Sequence, residues 1–263
     1  DLKAEFEHIR ALRRGREKAL EDFHEKLSKL TFFDPACGCG NFLVIAYREL
    51  RELETALLKE RYEAVFNRPG MIKSDYKFDV ASLSKIDVDQ FCGIEIEEFH
   101  TRIAEVAMWM TDHIENVRLS AVFGEAYARI PLSKSPNIRH GDALEIEWAD
   151  VLTPDRCSFI FGNPPFIGAK FQSDEQRAQV RRIAALGGSG GSLDYVCAWF
   201  LKAGEYLKQS KARIAFVATN SVTQGEQVAQ LWPILFGRYG LEIAFAHRTF
   251  QWLSDARGGA HVH

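Results

Sequence analysis

The chain has 263 residues, a formal net charge of −3, a pI of about 6.3 and 46% hydrophobic residues at a mean hydropathy of −0.19. That is enough for one large α/β domain, with or without an appendage, and too little positive charge for a protein that grips nucleic acid over its whole surface. No apolar run approaches the ~20 residues that span a bilayer, and the first residues lack the basic-then-apolar order of a signal peptide. Five cysteines, Cys37, Cys39, Cys92, Cys157 and Cys197, scattered through apolar segments, read as the reduced thiols of a cytoplasmic protein. Metal binding at Cys37-x-Cys39 would need a second Cys/His pair at zinc spacing, and none follows.

In chain order, residues 1–30 read as one or two charged helices, with Leu12, Leu20, Phe23, Leu27 and Leu30 at helical spacing and Arg10, Arg13, Arg14, Arg16 and Lys18 on a solvated face. Thr31–Asp34 is a short strand, and Asn41 to about Glu60 a helix. Residues 61–89 are polar and irregular, broken at Asn67-Arg68-Pro69-Gly70. Phe91–Ile96 is a strand and Glu98–Leu119 a helix. A further strand ends at His140-Gly141-Asp142, Trp148–Leu152 is ambiguous, and the apolar run Cys157–Phe161 is a buried strand. Gln172–Ile183 is a helix, and Gly187 to Ser192 a loop with the composition of a spacer. A helix Leu193–Gln209, a strand Arg213–Ala218, a helix Glu226–Phe236 and a strand Leu241–His247 complete the alternation. Ala260-His261-Val262-His263 resembles an unfinished strand, which, with a first residue inside an amphipathic helix, suggests part of a longer polypeptide. Strands alternating with helices predict an α/β fold: a mostly parallel sheet with helices on both faces, which binds ligands at the carboxyl ends of its strands.

Three chemistry-bearing loops fall at such ends. Asp34-Pro35-Ala36-Cys37-Gly38-Cys39-Gly40-Asn41-Phe42 follows the first strand; Gly38 and Gly40 let the backbone turn and approach a ligand, and a helix N-terminus follows. A dinucleotide fingerprint wants a third glycine where Leu43 stands, which argues against NAD. The second strand ends at Glu95, placed to accept from ribose hydroxyls, with Ile96 beside it to pack on an adenine ring. Glu95 comes 61 residues after Asp34 instead of the usual ~20, so residues 61–89 are an insertion. Asp142, followed by Ala143, ends the third strand and is placed to accept from an adenine amino group.

Gly162-Asn163-Pro164-Pro165-Phe166 carries the catalytic reading. An aromatic amine is a poor nucleophile, because its lone pair is delocalised into the ring. The Asn163 side-chain oxygen and the Pro164 carbonyl can accept from its hydrogens and stabilise the charge that develops on attack. Consecutive prolines fix φ and remove competing N–H groups, and Phe166 offers a ring for stacking an extruded base. Cytosine-C5 methylation would need a cysteine nucleophile after proline, and the chain has no Pro-Cys pair.

On these residues, together with Gln90-Phe91-Cys92-Gly93-Ile94-Glu95-Ile96-Glu97-Glu98 and Thr219 to Gln227, the chain resembles the γ-class DNA adenine-N6 methyltransferases, and in particular the MmeI-like (type IIL/IIG) fused restriction–modification enzymes. The resemblance implies a class I, Rossmann-like S-adenosylmethionine-dependent methyltransferase domain over residues 31–263, with residues 1–30 as a helical extension. It implies that Asp34, Ala36, Cys37, Gly38, Gly40, Asn41, Glu95, Ile96, Asp142 and Ala143 contact S-adenosylmethionine. Asn163, Pro164, Pro165 and Phe166 would hold an adenine flipped from duplex DNA; Phe250, or else Trp252, would stack on its other face or be a core aromatic. Nuclease and target-recognition domains would be fused in the parent protein. Lys170, Arg177, Arg181 and Arg182, after the catalytic loop, read either as phosphate contacts or as a solvated helix face. Residues 1–30 lack the Tyr-Thr or Thr-Pro segment that precedes the glycine loop in that family. RNA adenine or protein glutamine as acceptor, and a non-catalytic binding module, are the rival readings.

Overall fold

The computed structural model describes residues 1–66, 83–123, 134–186, 192–208, 210–247, 250–252 and 260–262, with the side chains of 63–66, 250–252 and 260–262 left aside. The chain forms two compact units, Asp1–His140 and Gly141–His263.

The first unit runs α1 (Leu2–Arg10), α2 (Arg16–Ser28), β1 (Phe32–Asp34), α3 (Asn41–Phe66), β2 (Phe91–Glu95), α4 (Glu98–Phe123) and β3 (Asn137–His140). β2 pairs in parallel with β1, Asp34 opposite Gly93, and with β3, Glu95 opposite His140. β1 and β2 are continuous apolar runs because both faces are covered. Phe32 stacks on Phe91 at 4.7 Å between ring centres, and Tyr47 of α3 meets Phe91 edge-on at 5.2 Å.

α2, α3 and α4 share a buried ionic network. Arg51 on α3 donates to Tyr47 Oη (2.8 Å), Asp112 Oδ1 (3.1 Å) and Asn116 Oδ1 (2.8 Å), while Tyr47 donates to Asp112 at 2.6 Å. Glu54 receives His24 of α2 at 2.7 Å, Ser84 Oγ at 2.7 Å and the Lys85 N–H at 2.7 Å. Both His24 and Glu54 side chains are 1% exposed. Such a network contributes little net stability as a whole, but removing one charge strands the others, at about 3–5 kcal/mol. The N-terminal helices are therefore joined to each other by the Phe6–Phe23 stack and anchored to α3 by polar contacts. Arg10 and Arg16, expected in solvent, both grip Glu60 of α3.

The second unit holds β4 (Phe159–Gly162), α5 (Asp174–Ala184), α6 (Cys197–Leu207), β5 (Arg213–Phe216), α7 (Gly225–Pro233), β6 (Phe250–Trp252) and β7 (Ala260–Val262). β4 and β5 are parallel, with Gly162 opposite Phe216, and β6 and β7 antiparallel. Ile160, Val180, Ala184, Leu201 and Leu231 are fully buried. The ambiguous stretch at Trp148 is a 3₁₀ turn, Trp148–Asp150, pinned by the indole N–H on the Ala143 carbonyl at 2.9 Å. Ser173 and Gln176 form a capping box that starts α5.

β1 to β5 alternate with helices and pair only in parallel within their units, which is the predicted α/β fold. Several boundaries differ. α3 and α4 run on to Phe66 and Phe123, so residues 61–66 of the stretch expected to be irregular are helical, and residues 67–82 lie outside the described residues. α6 starts at Cys197 instead of Leu193, because Ser192–Tyr195 give their backbone groups to other segments. Pro233 ends α7, and a wider turn, Ile234–Arg238, follows. The predicted strand Leu241–His247 does not form. Its residues join no ladder among the described residues, and Ile243 and Phe245 stay exposed, since alternation makes no strand without a neighbour to pair with. No described helix is long and apolar enough to cross a membrane.

Candidate functional site

In the first unit β1 delivers Asp34 to the glycine loop. Its carboxylate is fully buried; Oδ1 accepts the Ala36 N–H at 3.0 Å, and Oδ2 has no partner among the described residues. Burial, opposed by that N–H and reinforced by the Glu95 charge, pushes its pKa up to about 7. Gly38 and Gly40 adopt left-handed conformations, φ +54° and +84°. A Cβ on Gly40 would lie 3.1 Å from Ala104 Cβ on α4, whereas one on Gly38 would meet nothing within 4 Å. The loop therefore packs tightly at its helix end and stays open at Gly38.

Glu95, expected to face a ribose, also shapes the loop. Its Oε2 accepts the Gly38 N–H at 2.9 Å and its Oε1 the Glu97 N–H at 2.9 Å, while the Cys37 N–H donates to the Ile94 carbonyl at 3.1 Å. The glycine loop is thereby laid along the end of β2. A carboxylate has about four lone-pair sites, so both oxygens keep capacity for a ligand. Ile96, next in the chain, is 59% exposed, Asn41 is exposed at the start of α3, and Ala36 is half-buried. Cys37 is buried, and burial drives its thiol pKa upward, so it packs instead of reacting.

In the second unit Asp142 is already engaged at both oxygens. Oδ1 accepts the Leu144 N–H at 2.8 Å and Oδ2 the Gln179 side-chain amide at 2.7 Å. Gln179 in turn accepts from Tyr195 Oη at 2.8 Å. Burial lifts the Tyr195 pKa to about 12, so the phenol stays a donor. Ala143 beside Asp142 is buried.

β4 ends at Gly162, whose carbonyl accepts the Val217 N–H of the segment after β5 at 3.0 Å. Asn163 and Pro165 are exposed, Pro164 is buried, and Phe166 is 37% exposed. The Asn163 amide thus projects free of the unit, while Pro164 anchors the turn. The following residues are held from outside: the Tyr195 N–H donates to the Ile167 carbonyl (2.9 Å), and the Ala169 N–H to Asp194 Oδ1 (2.9 Å). Asp194 and its support Gln227 escaped the sequence reading. The one local signal was an acidic residue in the first turn of the predicted helix Leu193–Gln209, and Gln227 lay in the Thr219–Gln227 segment without a role.

The four basic residues after the loop divide. Arg177 donates to the Ala169 and Gln172 carbonyls (3.3 and 3.4 Å), and Arg182 pairs with Glu145 at 2.5 Å. Lys170 and Arg181 are exposed. Phe250 lies in β6, and its side chain falls outside the described residues.

The chain that carries the glycine loop and the Asn-Pro-Pro-Phe turn matches known proteins over nearly its whole length. Residues 10–263 match the family described as the DNA-methyltransferase domain of MmeI. The chain is 37% identical over 246 residues to DNA methyltransferase A of Bacillus subtilis (strain 168), covering 92% of this chain and 26% of that protein. It is also similar, at a TM-score of 0.89 and 48% identity, to the type IIL restriction-modification enzyme MmeI solved in complex with DNA, covering 100% of this chain and 33% of that one. The chain thus spans a third or less of the length of these relatives. With the family match covering both loops and nearly every residue around them, the chain belongs to the MmeI DNA-methyltransferase domain family.

Proposed function

We propose that the protein transfers the methyl group of S-adenosylmethionine to the N6 amine of an adenine in duplex DNA, as part of a restriction–modification system, with residues 31–263 as the catalytic domain and 1–30 as a helical extension. The observation that carries this reading is the Asn163–Phe166 turn: a side-chain amide standing free at a strand end, with a buried proline fixing the direction of the backbone behind it.

The first unit fits the methyl donor. Asp34 keeps a buried carboxylate oxygen without a partner among the described residues, which also leave the space beside Gly38 open. Asp34, Ala36, Cys37, Gly38, Gly40 and Asn41 would hold the donor, Glu95 would accept from its hydroxyls, and the exposed Ile96 would cover its base. Asp142, with Ala143, would accept from an adenine amino group. The donor supplies a methyl already activated by its sulfonium, so the protein needs no base of unusual pKa. The chain's own work is at the acceptor. Asn163 Oδ1 and the Pro164 carbonyl accept from the amine hydrogens, which draws the nitrogen towards tetrahedral geometry and stabilises its developing positive charge. Phe166 stacks on the base and keeps it out of the helix. Lys170 and Arg181, exposed after the turn, are the phosphate contacts we favour, since Arg177 donates to backbone carbonyls and Arg182 is shared with Glu145 in a surface ion pair. DNA as the macromolecular partner is supported by the family and by the DNA-bound relative.

The test is to incubate the natural full-length protein with methyl-labelled S-adenosylmethionine and, separately, duplex DNA, RNA and protein. Label on adenine N6 of duplex DNA is expected. Label on RNA, on glutamine or on cytosine, or no transfer at all, contradicts the proposal.

A further inference from the structure

We propose that Asp194 is a positioning residue for the loop that holds the target base, an inference that rests on the function proposed above. No side chain caps α6, and the carboxylate of Asp194, three residues before that helix, reaches to the Ala169 N–H, 25 residues back in the chain, at 2.9 Å.

That bond is one strand of a clasp. The Tyr195 N–H holds the Ile167 carbonyl at 2.9 Å, and the Gln172 amide holds the Leu193 carbonyl at 2.8 Å, so Leu193–Tyr195 grips the base loop on both sides of Gly168. Gly168 closes the turn by accepting the Phe171 N–H at 2.8 Å. The strap itself is fixed from behind by Gln227 in the first turn of α7. Its Oε1 accepts the Asp194 N–H (3.1 Å), and its Nε2 donates to the Ser192 carbonyl (3.0 Å). From α7 through the strap, the bracing reaches a point three residues beyond Phe166. Asn163, Pro165 and Phe166 are exposed, so beyond the anchor at the buried Pro164 the turn is steadied by what holds Ile167–Ala169. Without the Asp194 carboxylate the Ala169 N–H loses its acceptor and the turn gains freedom to pivot. A displacement of about 1 Å at a reacting group is enough to lower a rate by ~10²-fold.

The experiment compares Asp194→Ala, Asp194→Asn and Gln227→Leu with wild type in the natural full-length protein, measuring kcat and KM for methyl transfer, S-adenosylmethionine Kd and thermal unfolding. Asp194→Ala is expected to lower kcat at least tenfold, with cofactor Kd within about twofold of wild type. Asp194→Asn should restore most of the rate, because its amide oxygen still accepts from Ala169, and Gln227→Leu should fall between them. Wild-type kcat in Asp194→Ala, equal loss in Asp194→Asn, or loss matched by collapse of cofactor binding or of the unfolding temperature each overturns the inference. If wild type labels an acceptor other than duplex-DNA adenine, the proposed function fails, while the Ala-against-Asn split read on that acceptor still decides the role of Asp194.

Discussion

The loop after β1 and the loop after β4 each end a parallel strand, yet they are stabilised in opposite ways. The first is closed on itself: a buried carboxylate, two left-handed glycines, and backbone bonds from Cys37 and Gly38 to the end of β2. The second leaves Asn163 and Pro165 in solvent and is steadied by residues distant in sequence. The difference follows from what each loop is proposed to hold. A small cofactor is best met by a preformed, dehydrated cradle. A base swung out of a duplex needs acceptors standing clear of the protein, with rigidity supplied from behind.

The largest expected effect probes the closed loop through its buried acid. The Asp34 pKa of about 7 lies above the unfolded value of about 3.9, so the folded state binds its proton more tightly. This contribution is fully present below pH ~4 and is lost as pH rises through 7. Asp34→Asn keeps an oxygen for the Ala36 N–H and carries no charge. It should match wild type near pH 4 and exceed it at pH 8 by on the order of 4 kcal/mol in urea unfolding. Parallel pH profiles would show that Asp34 ionises freely and that the loop is not closed as described.

The glycines give smaller effects, and their order is the informative part. Gly40→Ala combines φ +84° with a Cβ 3.1 Å from Ala104 and should cost about 2–3 kcal/mol. Gly38→Ala meets only the strain of φ +54° in open space and should cost about 1 kcal/mol. Equal losses in chemical denaturation would remove the distinction between the packed and open ends of the loop.

What the sequence made legible was chemistry carried by neighbouring residues. Asp34 to Phe42 and Gly162 to Phe166 each hold their turn residues and their reactive groups within one short stretch, and the parallel strands before them are unmistakable apolar runs. Interactions across long separations were not legible. Arg51 meets Asp112 and Asn116 across α3 and α4, and Asp194 meets Ala169 across the glycine-rich stretch; no local pattern announces either. Leu241–His247 has the alternation of a strand, but alternation records only which faces differ in polarity and not whether a partner lies alongside. The start of α6 was misplaced for a related reason: Ser192–Tyr195 could extend the helix by propensity, but they are occupied in bracing the base loop.

The division of labour between the two loops is tested most directly by measuring S-adenosylmethionine binding by calorimetry and methyl transfer to duplex DNA on the same preparations of wild type, Asp34→Ala and Asn163→Ala. The account predicts that Asn163→Ala binds cofactor as wild type does while its transfer rate falls ~10²–10³-fold, and that Asp34→Ala loses cofactor binding itself. Loss of cofactor binding in Asn163→Ala, or undiminished transfer in either variant, would contradict it.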